Sequence, residues 1–367
     1  MSTAIQGSQP PQRRPIRILA LDGGGVRGLS SLLILRELMQ RLGVKRGVTA
    51  SAPIRPSECF ELIIGTGTGG ISALLLGRMG LNIDEAINAY VRIANTAFKP
   101  SRRALGWLRQ ERVLLDGDIL ECVVGDIVEE FLKDRNARVG RPLSDGCPCR
   151  TIVLIANEAN IDAPPDRLRS YDTRLPASDY SIREVARASA ATAGIFPSAL
   201  LGNPPAKFIN AASAGYNNPA EVGMQEARTL WPGGKIGCLV SLGTGLQAIV
   251  PVGEGWDGIA QSCSSLVSSC EHVHDRVARQ WREDGSYFRF NVDRGLDGAN
   301  ITRLTDAGSL EHLTGVTQGY MRLHQVEQKL DSCAHVLHSE TPGNSIFASH
   351  LLHSCSFLHR STYAWAR

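Results

Sequence analysis

The sequence lacks any apolar run that approaches the roughly 20 residues needed to span a membrane as a helix. Residues 1–15 are polar and rich in Gln, Pro and Arg, and they lack the apolar centre of a secretory signal. We therefore expect a disordered N-terminal segment over residues 1–15. We also expect a cytoplasmic protein that can still be peripheral to membranes.

The chain also lacks an excess of charge of one sign and a regular cysteine pattern. Lys and Arg number 39 against 36 Asp and Glu, and the net charge of +3 is too small to indicate nucleic acid as a partner. Nine cysteines at irregular spacing do not form the pattern of a disulfide framework, which favours a reducing compartment. The close pair Cys147 and Cys149 lacks the two-residue spacer, and the second pair of ligands, that a zinc site would have. His272 and His274 lie two apart on a predicted helix and so point to different faces. No metal site is expected.

What the chain does contain is an alternation of short apolar runs and helical patterns. This order predicts an α/β fold with a mostly parallel central sheet and helices on both faces. We assign the domain to residues 16–337 and a tail to residues 338–367. The predicted strands cover 15–21, 62–64, 150–156, 207–209 and 237–242, and the predicted helices cover 29–42, 71–78, 81–97, 115–132, 181–193, 259–281 and 320–337.

One stretch, residues 61–70, combines the end of a predicted strand with a cluster of glycines and the start of a helix. This is the context in which a nucleophile elbow, G-x-S-x-G, presents its serine. The corresponding frame here is Gly65-Thr66-Gly67-Thr68-Gly69, so Gly67 occupies the position of the serine. The elbow residues are therefore Gly65, Thr66, Thr68 and Gly69.

A second glycine turn follows the first predicted strand, at residues 22–28. Gly23, Gly24 and Gly25 allow close approach of the backbone to a ligand, and the following helix adds the positive end of its dipole. An anion or oxyanion site is one interpretation, and a plain strand-to-helix turn is another. A dinucleotide loop fits poorly, because no acidic residue is evident on a following strand.

With these motifs the chain resembles the patatin-like phospholipase family, and most closely its fungal-type members. The resemblance covers about residues 16–337 and rests on residues 22–28, 65–70, 187–191, 217–219 and 241–245. It implies a three-layer α/β fold and a lipid acyl hydrolase in which an elbow serine is activated by an aspartate without histidine. It also implies an oxyanion hole at the glycine loop (Gly23, Gly24, Gly25, with Arg27 nearby) and no metal or organic cofactor.

Both members of the catalytic dyad that the resemblance implies are replaced in this sequence. Gly67 stands at the serine position, and Asn210 stands where the aspartate is expected. Glycine has no nucleophile, and an amide cannot accept a proton at neutral pH. The hydroxyls nearest in sequence are not expected to substitute for the serine: these are Thr66, Thr68, Ser72 and Ser213.

Three functions remain open at this point. The first is a non-hydrolytic protein that binds an acyl lipid or a small hydrophobic carbonyl compound. The second is an enzyme of another class, such as a cyclase, isomerase or lyase, that polarises a carbonyl in the oxyanion hole. The third is an inactivated form of an ordinary phospholipase or esterase. A basic segment at residues 99–110, which contains Trp107, is either a solvated loop or a contact with anionic lipid headgroups.

Overall fold

The computed structural model describes residues 15–48, 53–98, 115–140, 149–246, 252–281, 286–296 and 307–339. The strands are β1 (Ile16–Leu21), β2 (Leu62–Thr66), β3 (Arg150–Asn157), β4 (Asp166–Arg169), β5 (Ala199–Leu201), β6 (Ala206–Asn210), β7 (Ile236–Leu242) and β8 (Tyr287–Phe290). The expectations for residues 1–14, for the basic segment 99–110 and for the tail from residue 340 onward lie outside the described residues.

All of these strands belong to one sheet, in the order β5-β6-β3-β2-β1-β7-β8, with β4 also paired to β3. The pairings β1–β2, β1–β7, β2–β3 and β7–β8 are parallel. The pairings β3–β4, β3–β6 and β5–β6 are antiparallel. The predicted α/β fold with a mostly parallel central sheet is therefore confirmed.

Helices cover both faces of the sheet because the central strands are apolar on both sides. Leu19 and Leu21 of β1 face the larger core, whereas Ile16, Ile18 and Ala20 face the smaller one. The helices are α1 (Gly28–Arg46), α2 (Pro56–Cys59), α3 (Thr68–Ala73), α4 (Ile83–Ala97), α5 (Gly117–Leu132), α6 (Ile182–Ala190), α7 (Ala220–Leu230), α8 (Gly255–Val267), α9 (Glu271–Gln280), α10 (Ala307–Met321) and α11 (His324–Ser339). Residues of α1, α4, α5, α6 and α11 enclose the larger core, and residues of α7 and α9 enclose the smaller one.

The helices predicted over residues 259–281 and 320–337 differ most from the structure. The helix predicted over residues 259–281 is two helices, α8 and α9, because the chain turns at residues 268–270 and the Asn217 and Asn218 side-chain amides donate to the carbonyls of Ser268 and Cys270. The helix predicted over residues 320–337 combines the end of α10 with α11, which begins at His324. α11 runs through Ser339, which is two residues into the predicted tail.

The elements that carry the two glycine turns lie side by side at the carboxyl ends of parallel strands. β1 leads into the glycine loop of residues 22–28, its neighbour β2 leads into Gly67, and β7 on the other side leads into residues 243–245. Ligands of open α/β sheets bind in the crevice outside these strand ends. Among the described residues, no helix is both long and apolar enough to cross a membrane.

Candidate functional site

Gly67 connects β2 directly to α3 through a backbone conformation that suits glycine. Its φ is 56° and its ψ is −132°, a region in which other residues are strained. The turn is tight, since a Cβ on Gly65 would lie 2.1 Å from the carbonyl oxygen of Gly69. The predicted sequence of strand, sharp turn and helix is therefore present, and the role of this turn as a nucleophile elbow stays a prediction.

Asn210 faces Gly67 although the two are far apart in sequence. The sheet register explains this, because Thr66 pairs with Leu154 of β3, and Asn210 pairs with the next residue, Ile155, on the opposite side of β3. A Cβ built on Gly67 would lie 3.0 Å from Nδ2 and 3.3 Å from Oδ1 of Asn210. The structure thus brings together the positions that the resemblance assigns to nucleophile and base, while their family roles stay a prediction.

Hydrogen bonds fix the orientation of the Asn210 side chain. Its Oδ1 accepts from the backbone N–H of Ala212 at 2.8 Å and from Thr66 Oγ1 at 3.5 Å. Its Nδ2 donates to Thr192 Oγ1 at 3.2 Å. Ser189 completes the arrangement by donating to the carbonyl oxygen of Gly67 at 2.7 Å. No motif in the sequence marked Thr192, and Ser189 lies within the stretch 187–191 that contributed to the resemblance.

The three amides of the glycine loop are not equivalent. The N–H of Gly23 donates to the carbonyl of Asn217 at 3.3 Å, and the N–H of Gly24 donates to Thr68 Oγ1 at 3.3 Å. The N–H of Gly25 makes no hydrogen bond to the described part of the chain. The oxyanion hole stays a prediction, and among these three amides the Gly25 N–H is the one with no partner in the described ranges.

Three side chains from separate elements hold this loop in place. Thr244 Oγ1, just after β7, donates to the carbonyl of Gly23 at 3.0 Å. Thr68 Oγ1 donates to the carbonyl of Gly25 at 3.0 Å, and the hydroxyl of Tyr90 donates to the same oxygen. Because these hydrogen bonds hold the carbonyl groups of Gly23 and Gly25, the backbone of the loop is fixed in one conformation.

A buried ion pair supports the start of the loop. Asp22 Oδ2 lies 2.7 Å from Nη2 of Arg289, and both side chains are inaccessible or nearly so. Burial raises the pKa of Asp22, and the Arg289 guanidinium opposes that rise. Arg289 also contacts Ser241 Oγ at 3.0 Å and Glu271 Oε1 at 3.2 Å. No motif in the sequence marked Arg289, which lies on the short strand β8.

Arg27 is a buried cation without an acidic partner among the described residues. Its side chain is 6% exposed, its Nη1 donates to the carbonyl of Leu296 at 3.4 Å, and its Nε has no hydrogen-bond partner there. Desolvation lowers the pKa of Arg27 below its ordinary value. A buried guanidinium with an unused donor is suited to an anionic ligand group.

A cavity of about 430 Å³ opens beside the elbow and the glycine loop. That volume is within the range of small-molecule sites, about 300–1,000 Å³. The glycine loop, Arg27 and Asn210 line this cavity, and its apolar lining residues are Phe98, Leu115, Ala190, Ala193, Ile195, Phe196, Ala212 and Val267. A second cavity of about 190 Å³ shares Arg27, Asn217 and Ser268 with the first.

The hydroxyls considered as replacements for the serine are engaged or placed elsewhere. Thr66 is fully buried at the end of β2, and Thr68 donates to the Gly25 carbonyl. Ser72 is buried within α3. Ser213 lines the cavity in the short turn that follows Asn210. Of these four, Ser213 is the one that both lines the cavity and makes no side-chain hydrogen bond to the described part of the chain.

His272 and His274 lie on α9 and do not line the cavity. His274 Nδ1 is 3.0 Å from the hydroxyl of Tyr287, and burial lowers the pKa of this histidine. Within the described ranges, no group of His, Cys, Asp and Glu side chains is placed to hold a metal ion. Cys147 of the close cysteine pair lies outside the described residues.

Comparison with known proteins places these motifs in a family. The family model described as patatin-like phospholipase matches residues 19–223, more than half of the chain. Calcium-independent phospholipase A2-gamma of Rattus norvegicus is 28% identical over 297 residues, which are 77% of this chain and 35% of that protein. Phospholipase A I of Arabidopsis thaliana is 26% identical over 344 residues, covering 78% of this chain and 25% of that protein.

Two further similarities concern a shorter match and a solved structure. The Arabidopsis thaliana protein called probable inactive patatin-like protein 9 is 25% identical over 190 residues, which are 50% of this chain and 46% of that protein. The crystal structure of VipD from Legionella pneumophila has a TM-score of 0.47 and 13% identity, covering 88% of this chain and 67% of VipD. The chain spans about a third of the length of the phospholipase A2-gamma relatives.

Proposed function

Because the chain belongs to the patatin-like phospholipase family, we propose that it binds an acyl compound at the elbow and glycine loop without hydrolysing it. One observation carries this proposal. The described walls of the cavity contain no aspartate, glutamate, histidine, lysine or tyrosine, so no general base faces the elbow. The position opposite Asn210 is Gly67, which has no hydroxyl.

The hydrogen bonds of the nearby hydroxyls support the same proposal. Thr192 and Ser189 donate their protons to the carbonyl oxygens of Ala190 and Gly67, and Thr68 donates to that of Gly25. A backbone carbonyl is an acceptor that does not take up a proton, so these bonds orient the hydroxyls but do not activate them. Family catalysis needs nucleophile and base within about 3 Å of each other.

The chemistry of the walls indicates the class of ligand. The aromatic side chains of Phe98 and Phe196 contact each other edge to face, with ring centroids 5.8 Å apart, and form part of an apolar wall. Arg27 is the one charged side chain on the described walls. We infer that the ligand has an apolar chain along this wall and an anionic or carbonyl oxygen at the free Gly25 amide and Arg27.

The names of the relatives are consistent with a lipid ligand. Phospholipases by name act on lipids, and one relative is called probable inactive. We further propose a cytoplasmic protein, since the described cysteines are all free thiols. Contact with a membrane surface belongs to the same proposal, because an acyl lipid ligand is found there. The proposal includes no metal, organic cofactor or nucleic acid.

Titration with oleate tests the proposal, with oleyl alcohol as an uncharged ligand of the same chain length. We expect saturable oleate binding by calorimetry and no release of product from p-nitrophenyl butyrate. Arg27→Gln should weaken oleate binding at least about tenfold, because a desolvated charge pair is lost, and should leave oleyl alcohol unaffected.

Arg294→Gln serves as the matched control, since this arginine side chain is 92% exposed and should not contribute to binding. Brisk ester hydrolysis by the unmodified protein would overturn the proposal. Conversion of a bound acyl or carbonyl compound to a new product would instead support an enzyme of another class. Absence of binding to every acyl ligand would favour an inactivated phospholipase.

A further inference from the structure

Helix α8 has an unusual distribution of side chains for a helix on a protein surface. Trp256, Ile259, Cys263, Leu266 and Val267 repeat at helical spacing and lie on one side of it; we call them the apolar stripe. The stripe faces outward, since Trp256 is 88% exposed, Leu266 63%, Ile259 42% and Val267 41%. A surface helix normally turns this face toward the core.

The inward face of α8 consists of small residues instead. Ser262 is buried, donates to the carbonyl of Gly258 at 2.9 Å and accepts from the N–H of Gly253 at 3.0 Å. Gly258 packs against the backbone of Gly253, where a Cβ would lie 2.8 Å from the carbonyl carbon. The amphipathic pattern of α8 is therefore inverted, and a side chain at residue 258 would clash with the backbone of Gly253, two residues before the helix begins.

Two residues of the apolar stripe also line the larger cavity. Cys263 and Val267 of the stripe line this cavity together with Ser264 and Ser268, and Leu266 lines the smaller one. The exposed apolar surface and the apolar cavity walls are thus continuous across a single helix. A partner that covers the stripe therefore also contacts residues that line the two cavities.

We propose that the apolar stripe docks on the surface of a zwitterionic lipid bilayer. Between residues 252 and 269 the sequence contains no Lys or Arg, and its charged residues are Glu254 and Asp257. An uncharged apolar stripe complements the acyl boundary of a neutral bilayer, and it offers no attraction to anionic headgroups. An exposed tryptophan at one end suits the bilayer interface, where Trp is enriched.

A second copy of the chain is a less fitting occupant. The stripe presents apolar surface on the order of 400 Å², about half of the roughly 800 Å² that each partner contributes to a standard interface. Docking on lipid would place the cavity mouth against the bilayer, so that an acyl ligand enters without crossing water. That last point rests on the proposed function, whereas the docking itself does not.

Flotation of the whole 367-residue chain with phosphatidylcholine vesicles, without added ligand, tests the docking. We expect the unmodified protein to float with the vesicles, and 0.5 M salt should leave this binding unchanged because no charge pairs are involved. Leu266→Ser and Trp256→Gln should each lower the partition coefficient about tenfold, since each removes one large apolar side chain from the bilayer.

Leu175→Ser is the matched control, because Leu175 is 68% exposed and lies outside α8. Its binding should equal that of the unmodified protein. Trp256→Phe should retain vesicle binding and lose most of the blue shift of tryptophan emission that the unmodified protein shows. Circular dichroism should give the same helix content for all of the variants.

Four results would overturn the docking proposal. These are no flotation with phosphatidylcholine, binding that requires phosphatidylserine and is abolished by salt, an equal loss in Leu175→Ser, and a dimer in size-exclusion chromatography that Leu266→Ser dissociates. Oleate binding in solution is measured separately, so failure of the docking leaves the proposed ligand site standing, and failure of oleate binding leaves the docking standing.

Discussion

Rebuilding a nucleophile and a base at Gly67 and Asn210 is the most demanding test of the site. In the double variant Gly67→Ser/Asn210→Asp, the new Cβ would lie 3.0 to 3.3 Å from the side-chain atoms of residue 210. The serine Oγ, one bond farther, is therefore within reach of a carboxylate after a shift of a few tenths of an ångström. The new carboxylate would find donors in place, since the Ala212 N–H and Thr66 Oγ1 already donate to Oδ1.

The backbone conformation at Gly67 also determines how much stability the rebuilt site should lose. The backbone at Gly67 has φ 56° and ψ −132°, and a residue with a side chain in such a conformation costs about 1–3 kcal/mol. We expect the double variant to be less stable by that amount in urea denaturation. Hydrolysis should rise by about 100-fold or more over the unmodified protein, because nucleophile and base act as a unit.

The assay compares p-nitrophenyl butyrate hydrolysis by the double variant with that of Gly67→Ala/Asn210→Asp. This control has the same backbone strain and the same carboxylate but no hydroxyl. A fluorophosphonate should label the double variant at residue 67 and leave the control unlabelled, as read by mass spectrometry. A folded double variant that hydrolyses no faster than the control would refute the reasoning that elbow and glycine loop are ready for ester hydrolysis.

Two further predictions concern the supports of the fold. Burial raises the pKa of Glu226, but hydrogen bonds from Arg169 and Tyr171 outweigh it, so this pKa lies below its ordinary value of 4.5. The ionised Glu226 therefore stabilises the fold above pH 4.5, and this stabilisation is lost as the pH falls through the lower pKa of the folded state. Glu226→Gln should lower the free energy of unfolding by about 2–4 kcal/mol at pH 7 and flatten the acid dependence of the urea midpoint. A Cβ on Gly24 would lie 2.1 Å from Thr244 Oγ1, so Gly24→Ala should cost about 1–3 kcal/mol in the same assay, and Thr244→Gly should restore part of it. Unchanged midpoints would contradict both.

The sequence was most informative where an apolar run meets a glycine turn. β1 and β2 were predicted close to their observed positions because both faces of the central strands are buried, which gives continuous apolar runs. It was least informative for α8, where the outward apolar stripe has the same helical period as a core-facing helix. Period alone does not report which face is buried.

The site shows the same division. Gly67 and the glycine loop were found from local motifs, and Asn210 from its distance to another motif. Thr192 and Arg289 were missed because their contacts depend on sheet register and on the packing of β8, a strand of four residues. Likewise α7 was not predicted, and its Gly223 is a poor helix former. The reason for a glycine at this position, where a Cβ would lie 3.0 Å from Ile64, is visible only after folding.

The side chains that hold the glycine loop determine which fragments of this protein can fold. The family match ends at residue 223, yet Thr244 and Arg289, which bind the Gly23 carbonyl and Asp22, both come later in the chain. A fragment cut at the end of the match would retain every glycine of the loop and lose the groups that give it a single shape. An expression fragment meant to fold autonomously should therefore extend at least through β8.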